Sequence, residues 1–420
     1  MTELERSPQN ASAGAEVTAS HAEPVDDPAL TARLRRLARV ALIAGLAATV
    51  LLVIGFFFAG RARWVQSYLV AHLYWLGLSL GCLFLLLLHH LVGGPWGFPI
   101  QRLLTAGSRP LFLLAPLFLP ILLGAGMLYV WADPAVIEAD AALQAKAIYL
   151  NLPLFALRAV LYFAVWLVLA FVITRNAYRL DETGERRLAR RSQRFSGPGL
   201  ILLGLTATFA AVDWAMSLEP HWYSSIYGLL LVTGQVLVGL AFALAFLGLV
   251  CDRPALSWAM TSRATNDLGA LLLAALISWI YALFMQFLII WFADLPQEVT
   301  WYLNRMGGGW QWLLLAVVLL HFALPFGLIL VHKGRWRVSS LAVISAMVVV
   351  AHFLYLYWLI MPAFSPQKPA LHWLDLAAVV AVGGLWLAWF LTELGRHSLV
   401  PYRHPRYLAF IEEEQYETAA

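Results

Sequence analysis

Charge is scarce in this chain: of 420 residues, Asp, Glu, Lys and Arg make up only 12%, while apolar types make up 61%. So little polar surface excludes a water-soluble domain of this size and predicts a single helical membrane domain. Cysteine is scarcer still, with Cys82 and Cys251 alone. Two distant thiols give no disulfide framework and no CxxC metal spacing, and the CxxCH pattern of covalent haem attachment is missing. The chain by itself is therefore expected to hold no metal, iron–sulfur cluster or c-type haem. A signal peptide is not expected either. Residues 1–32 are polar, acidic and rich in Ala, Ser and Pro, which reads as a disordered tail ahead of a retained first span. No sequence repeat relates the two halves, and the proline-interrupted stretches at Pro116 and Pro325 do not fall at equivalent places. A stand-alone secondary transporter, the main rival of another class, thus lacks its usual signature.

What the chain has is ten apolar stretches, each long enough to cross a bilayer as a helix. They run at about 38–59, 68–92, 111–131, 152–174, 197–217, 224–250, 267–292, 310–331, 338–360 and 372–394. This makes 33–396 a ten-helix membrane domain and 397–420 a C-terminal tail. Lys and Arg are distributed unequally: about 21 fall on the side of the two termini and about 5 on the other. The positive-inside rule then predicts both termini in the cytoplasm. The net charge of +4 is largely this topological arginine, so nucleic acid is not an expected partner.

Two sets of polar residues lie within the spans. His72, Arg158 and Asp213 fall in the outer third, at about one, two and one turns from the outer ends of spans two, four and five. An Arg and an Asp at matching depth are candidate partners, because pairing lowers the cost of either charge in low dielectric. With the titratable imidazole of His72 they form a candidate quinol or proton-exit group; the alternative is a structural salt bridge. The second set is a candidate proton path: Gln235, Asp267, Ser278, Tyr281, Gln286, His321 and His352. His321 and His352 are also the nearest approach to a haem-ligating pair, while the adjacent His89 and His90 point apart and suit the interface. In the outer loops, Glu219, His221, Trp301 and Trp310 are candidates for docking a partner.

Several of these segments carry a resemblance: FSGPG at 195–199, TFAAVDWAMSLEPHWYSSIYG at 208–228, DLGALLLA at 267–274, MQFLIIW at 285–291, LPQEVTWYL at 295–303 and GGWQWLLLAVVLLHFALPF at 308–326. They resemble the second NrfD-type, ActF-like, membrane subunit of bacterial Alternative Complex III, over about residues 38–400. The resemblance implies an all-α NrfD/PsrC-like fold with two four-helix bundles, spans two to five and six to nine, and flanking first and last helices. It implies a quinol:cytochrome c oxidoreductase in which a sister NrfD-like subunit, a periplasmic iron–sulfur subunit and c-haem subunits hold the electrons, with a terminal oxidase as a further partner. This subunit is then expected to support assembly and proton translocation; a quinol site of its own is the alternative.

Overall fold

The structure, a computed structural model, describes residues 27–331 and 336–419. Every element among the described residues is helical. Among the described residues, nine helices are long and apolar enough to cross a membrane, or ten if one bent pair counts as a single span. The long elements are α1 (Pro28–Phe58), α2 (Arg61–Val92), α3 (Gln101–Ser108), α4 (Leu152–Thr183), α5 (Arg186–Trp214), α6 (Tyr227–Val250), α7 (Ser262–Ala293), α8 (Pro296–Met306), α9 (Trp310–Val317), α10 (Leu324–Val331), α11 (Val338–Ile360), α12 (Trp373–Leu394) and α13 (Pro405–Ala419).

The bent pair stands where the third span is expected, at 111–131, with the break at prolines that interrupt it. Helix runs from Gln101 to Leu114, then from Pro116 to Leu123 at 51° to the first piece. Pro110, Pro116 and Pro120 each withhold a backbone donor, and Pro116 sits at the break. The tail expected over residues 1–32 ends sooner. Asp27 caps Leu30 N–H at 2.8 Å, so helix begins at Pro28 and residues 1–26 lie outside those described. The C-terminal tail is likewise structured: α13 follows His404, and Tyr407, Phe410 and Ile411 are buried.

α2 is the central helix, buried on nearly every side, and it packs on α5, α6 and α12. α1 lies at the periphery against α12 and turns Ile43, Phe57 and Phe58 outward, as a lipid-facing helix should. Glycine permits the closest crossings. Gly81 of α2 lies against Gly239 and the Gln235 carbonyl of α6, where a methyl group would collide with backbone; Gly45 and Gly384 make the equivalent contact between α1 and α12. The α2–α6 crossing joins α4 and α5 on one side to α7 and α11 on the other.

The run Arg186–Arg194 opens α5 and marks one end of the molecule, here called the basic end. Asp213, at the last turn of α5, marks the far end.

Candidate functional site

Asp213 is fully buried, and its carboxylate is saturated. Arg158 on α4 approaches as a fork, Nε donating to Oδ2 at 2.8 Å and Nη2 to Oδ1 at 2.9 Å. Tyr162, one turn further along α4, donates its hydroxyl to Oδ2 at 2.7 Å. Arg158 is held in turn by the Tyr149 carbonyl at 2.9 Å and lies over the Tyr149 ring. A bidentate pair of this kind ties α4 to α5 and satisfies both ions.

His72 stands apart from that pair. It lies against Tyr68 and Phe118, and neither ring nitrogen has a hydrogen-bond partner. Phe118 packs in turn on Trp214, at a centroid distance of 4.5 Å. Because α2 begins at Arg61, His72 sits about three turns from its start rather than one.

The two histidines of the second set do meet. His321 Nε2 and His352 Nδ1 are 3.2 Å apart, and both rings are buried. The helix between α9 and α10 widens into a π turn over Val318–Ala323, with Leu324 N–H reaching back five residues to Leu319 O. The cause is local. Pro325 has no N–H for the carbonyl of His321, four residues earlier, and the widened turn redistributes the backbone bonds. Trp279 and Tyr355 close around the pair, while His321 Nδ1 has no partner. Since the rings bond each other directly, no space for a haem iron separates them.

His352 also lines a narrow crevice between α2, α5, α6 and α11, together with Gln235, Tyr355, Gly77 and Trp214. It offers about 20 Å³ to the centre of a water molecule, enough for a water but not for a quinone ring.

The rest of the expected proton path does not assemble. Ser278 is exposed and donates to Ala274 O of its own helix at 2.8 Å, and Tyr281 is 55% exposed, so both lie on the outward face of α7. Asp267 lies near the start of α7, at the basic end. Gln286 is buried at the far end, where it accepts from Ser224 at 3.3 Å and donates to Tyr302 at 3.5 Å. Asp267, Ser278, Tyr281 and Gln286 share α7 but point in different directions around it, and only those facing inward reach the interior.

The docking set needs correction as well. Trp301 and Trp310 are core residues, 2% and 0% exposed. Trp301 stacks on Trp222 beneath the Arg305 guanidinium, and Trp310 Nε1 donates to Ser365 O at 3.0 Å. Glu219 is engaged by Arg305, which leaves His221, 3.0 Å from Asp140, as the exposed member. His89 and His90, expected at the interface, are buried instead, His89 between Trp96 and Phe98.

Three arginines were counted in the sequence for topology but not as site residues. Arg63 pairs with Asp375 at 2.5 Å, in a cluster with Ser67 and Tyr357 that joins α2, α11 and α12. Arg305 holds Glu219 and the Leu359 carbonyl, and Arg102 holds Asp181. One signal existed: Asp375 stands three residues after His372, the spacing of a capping box, which the structure contains. Among the described residues, no group of three or more His, Cys, Asp or Glu is placed to hold a metal ion.

No protein-family model matches this chain, and no curated protein matches it.

Proposed function

We propose that this chain is an NrfD-type membrane subunit of an Alternative Complex III-like quinol:cytochrome c oxidoreductase, in which it supports assembly and carries protons. The fold would then be the NrfD-like ten-span arrangement, the bent pair counting as the third span, and partner subunits would hold the haem c and iron–sulfur centres.

The observation that carries the proton role is the His321–His352 pair on its π turn. Two imidazoles in an apolar interior are costly, and hydrophobic side chains would fill the space better. A hydrogen-bonded imidazole pair can take a proton at one nitrogen and release it from another, and the adjoining crevice admits the water that a relay needs. π turns, moreover, are frequent at functional positions.

A quinol site within this chain is the second reading, and His72 is what favours it: a buried ring with two unbonded nitrogens can accept a proton from a hydroxyl. It ranks second because His72 stands apart from Asp213, whose oxygens are already filled by Arg158 and Tyr162.

Purification from native membranes in mild detergent tests the assignment. The chain should co-migrate with c-haem absorbance and an iron–sulfur subunit; a colourless, monodisperse single chain would overturn it. Within the complex, His321→Gln should assemble and oxidise quinol while releasing fewer protons per electron pair. An unchanged proton yield would reduce the pair to packing.

A further inference from the structure

At the basic end, where α2 finishes, α5 starts and α13 returns, lies a cleft of about 230 Å³ lined by His90, Arg186, Arg190, Gln193, His404 and Arg406. No acidic side chain lines it. Arg186 and Arg190 are one turn apart on α5, a like-charge spacing that repels unless an anion lies between or beside the two. Of the five arginines from 186 to 194, only Arg187 meets a carboxylate among the described residues, that of Glu185.

The floor of the cleft is built rather than merely charged. His90 is 5% exposed, and its Nε2 has no hydrogen-bond partner. Arg406 Nη1 donates to the His90 carbonyl at 3.3 Å, which fixes that guanidinium at the rim. His404 Nδ1 accepts the Arg406 backbone N–H at 3.3 Å, so in the neutral ring the proton sits on Nε2 as a donor. Three guanidiniums and two imidazole edges thus face a space that no carboxylate enters. Oxyanions with several lone pairs, phosphates above all, match that donor set.

What surrounds the cleft indicates where the phosphate comes from. It sits at the C-terminal end of α2, and the next residues, Leu91 and Val92, are 37% and 68% exposed apolar side chains. Gln193 bridges from α5 to the Leu91 carbonyl at 3.4 Å. A phosphate seated between Arg186 and Arg190 would therefore have acyl-chain surface beside it. We propose that this cleft binds the phosphate headgroup of an anionic phospholipid, whose chains lie along the outer surface of α2 near Val92. The inference is independent of the redox reading.

The test uses the full chain in mild detergent, titrated with dioleoyl-phosphatidylglycerol, dioleoyl-phosphatidylcholine or inorganic phosphate, with lipid retention followed by native mass spectrometry. Wild-type protein should retain phosphatidylglycerol about tenfold better than phosphatidylcholine. The double variant Arg186→Ala/Arg190→Ala changes two exposed side chains and should lose most of that preference, while Arg186→Lys/Arg190→Lys should keep part of it. Equal preference in wild type and the alanine variant would overturn the site. Displacement of the lipid by equimolar inorganic phosphate would overturn the lipid assignment in favour of a soluble anion.

Discussion

The two ends of the molecule handle charge differently. At the far end three buried or half-buried guanidiniums are matched one to one: Arg158 with Asp213, Arg63 with Asp375, Arg305 with Glu219. The basic end has buried pairs too, Arg102 with Asp181 and Arg109 near Glu393, but it adds a surplus, Arg186 and Arg190 among it, with no carboxylate opposite. Matched pairs turn charge inward, where it fixes which helix touches which. The surplus stays exposed, where an anionic lipid headgroup would meet it under the proposal above. The asymmetry counted in the sequence is therefore two phenomena, architectural at one end and environmental at the other.

If that contrast holds, the largest effect comes from breaking a far-end pair. Asp213→Ala leaves the Arg158 guanidinium and the Tyr162 hydroxyl without their acceptor and should cost about 3–5 kcal/mol. The thermal midpoint of the purified protein should fall accordingly. Replacing both ions, as Arg158→Met/Asp213→Leu, should recover most of the loss, since a packed apolar pair often equals a buried ionic one. If the double variant stays as unstable as the single, the pair does more than lock α4 to α5. Recovered stability with lost proton release would move the proton exit back to Asp213.

A smaller effect follows at Glu219, whose side chain keeps 21% exposure while that of Arg305 has 1%. Glu219→Gln removes the charge but leaves an acceptor. Arg305 retains the Trp301 and Leu359 carbonyls and the Trp301 ring beneath it. The expected cost is about 2 kcal/mol, the range of a charge-assisted hydrogen bond. A loss as large as that of Asp213→Ala would show that partial exposure brings no relief at this end.

Much of this was legible in the sequence, for reasons that also mark where reading stops. Hydropathy over 20-residue windows finds lipid-crossing helices because the bilayer demands them, and nine of the ten expected spans appear as single helices. The remaining one, the third, bends at Pro116, where the prolines in the sequence mark an interruption but not its 51° angle. Depth along a helix can be counted, which brought Arg158 and Asp213 to one level. Rotation about the helix cannot be counted from a mixed apolar run. Hence Ser278 and Tyr281 face outward, and Trp301 and Trp310 face inward, against expectation. The π turn at His321 adds a residue to its turn and so rotates everything after it, a shift visible only once the Pro325 effect is placed in three dimensions.

The smallest effect lies at the basic end and concerns pH. His404 sits outside the spans, packed near His90 and Phe98, with Arg102 and Arg406 nearby. Burial, reinforced by the charges of His89, Arg406 and Arg102, holds its imidazole down at about 3, against an ordinary 6.5. The folded protein then binds fewer protons than the unfolded chain between those values. Stability from this residue is complete above about pH 6.5 and is lost progressively as the pH falls toward 3. Between pH 7.5 and 5.5 this residue's loss should be about 1 kcal/mol, seen as a fall in thermal midpoint that is smaller by that amount in His404→Gln. Parallel curves for the two proteins would show that the ring is not held neutral. Phosphatidylglycerol sharpens the test, because an anion beside His404 favours its protonated form and should flatten the wild-type curve while leaving the variant's unchanged. Such flattening would tie the unpaired charge of the basic end to a lipid, whereas the far-end pairs, having no surplus to offer, should give the same midpoints in either lipid.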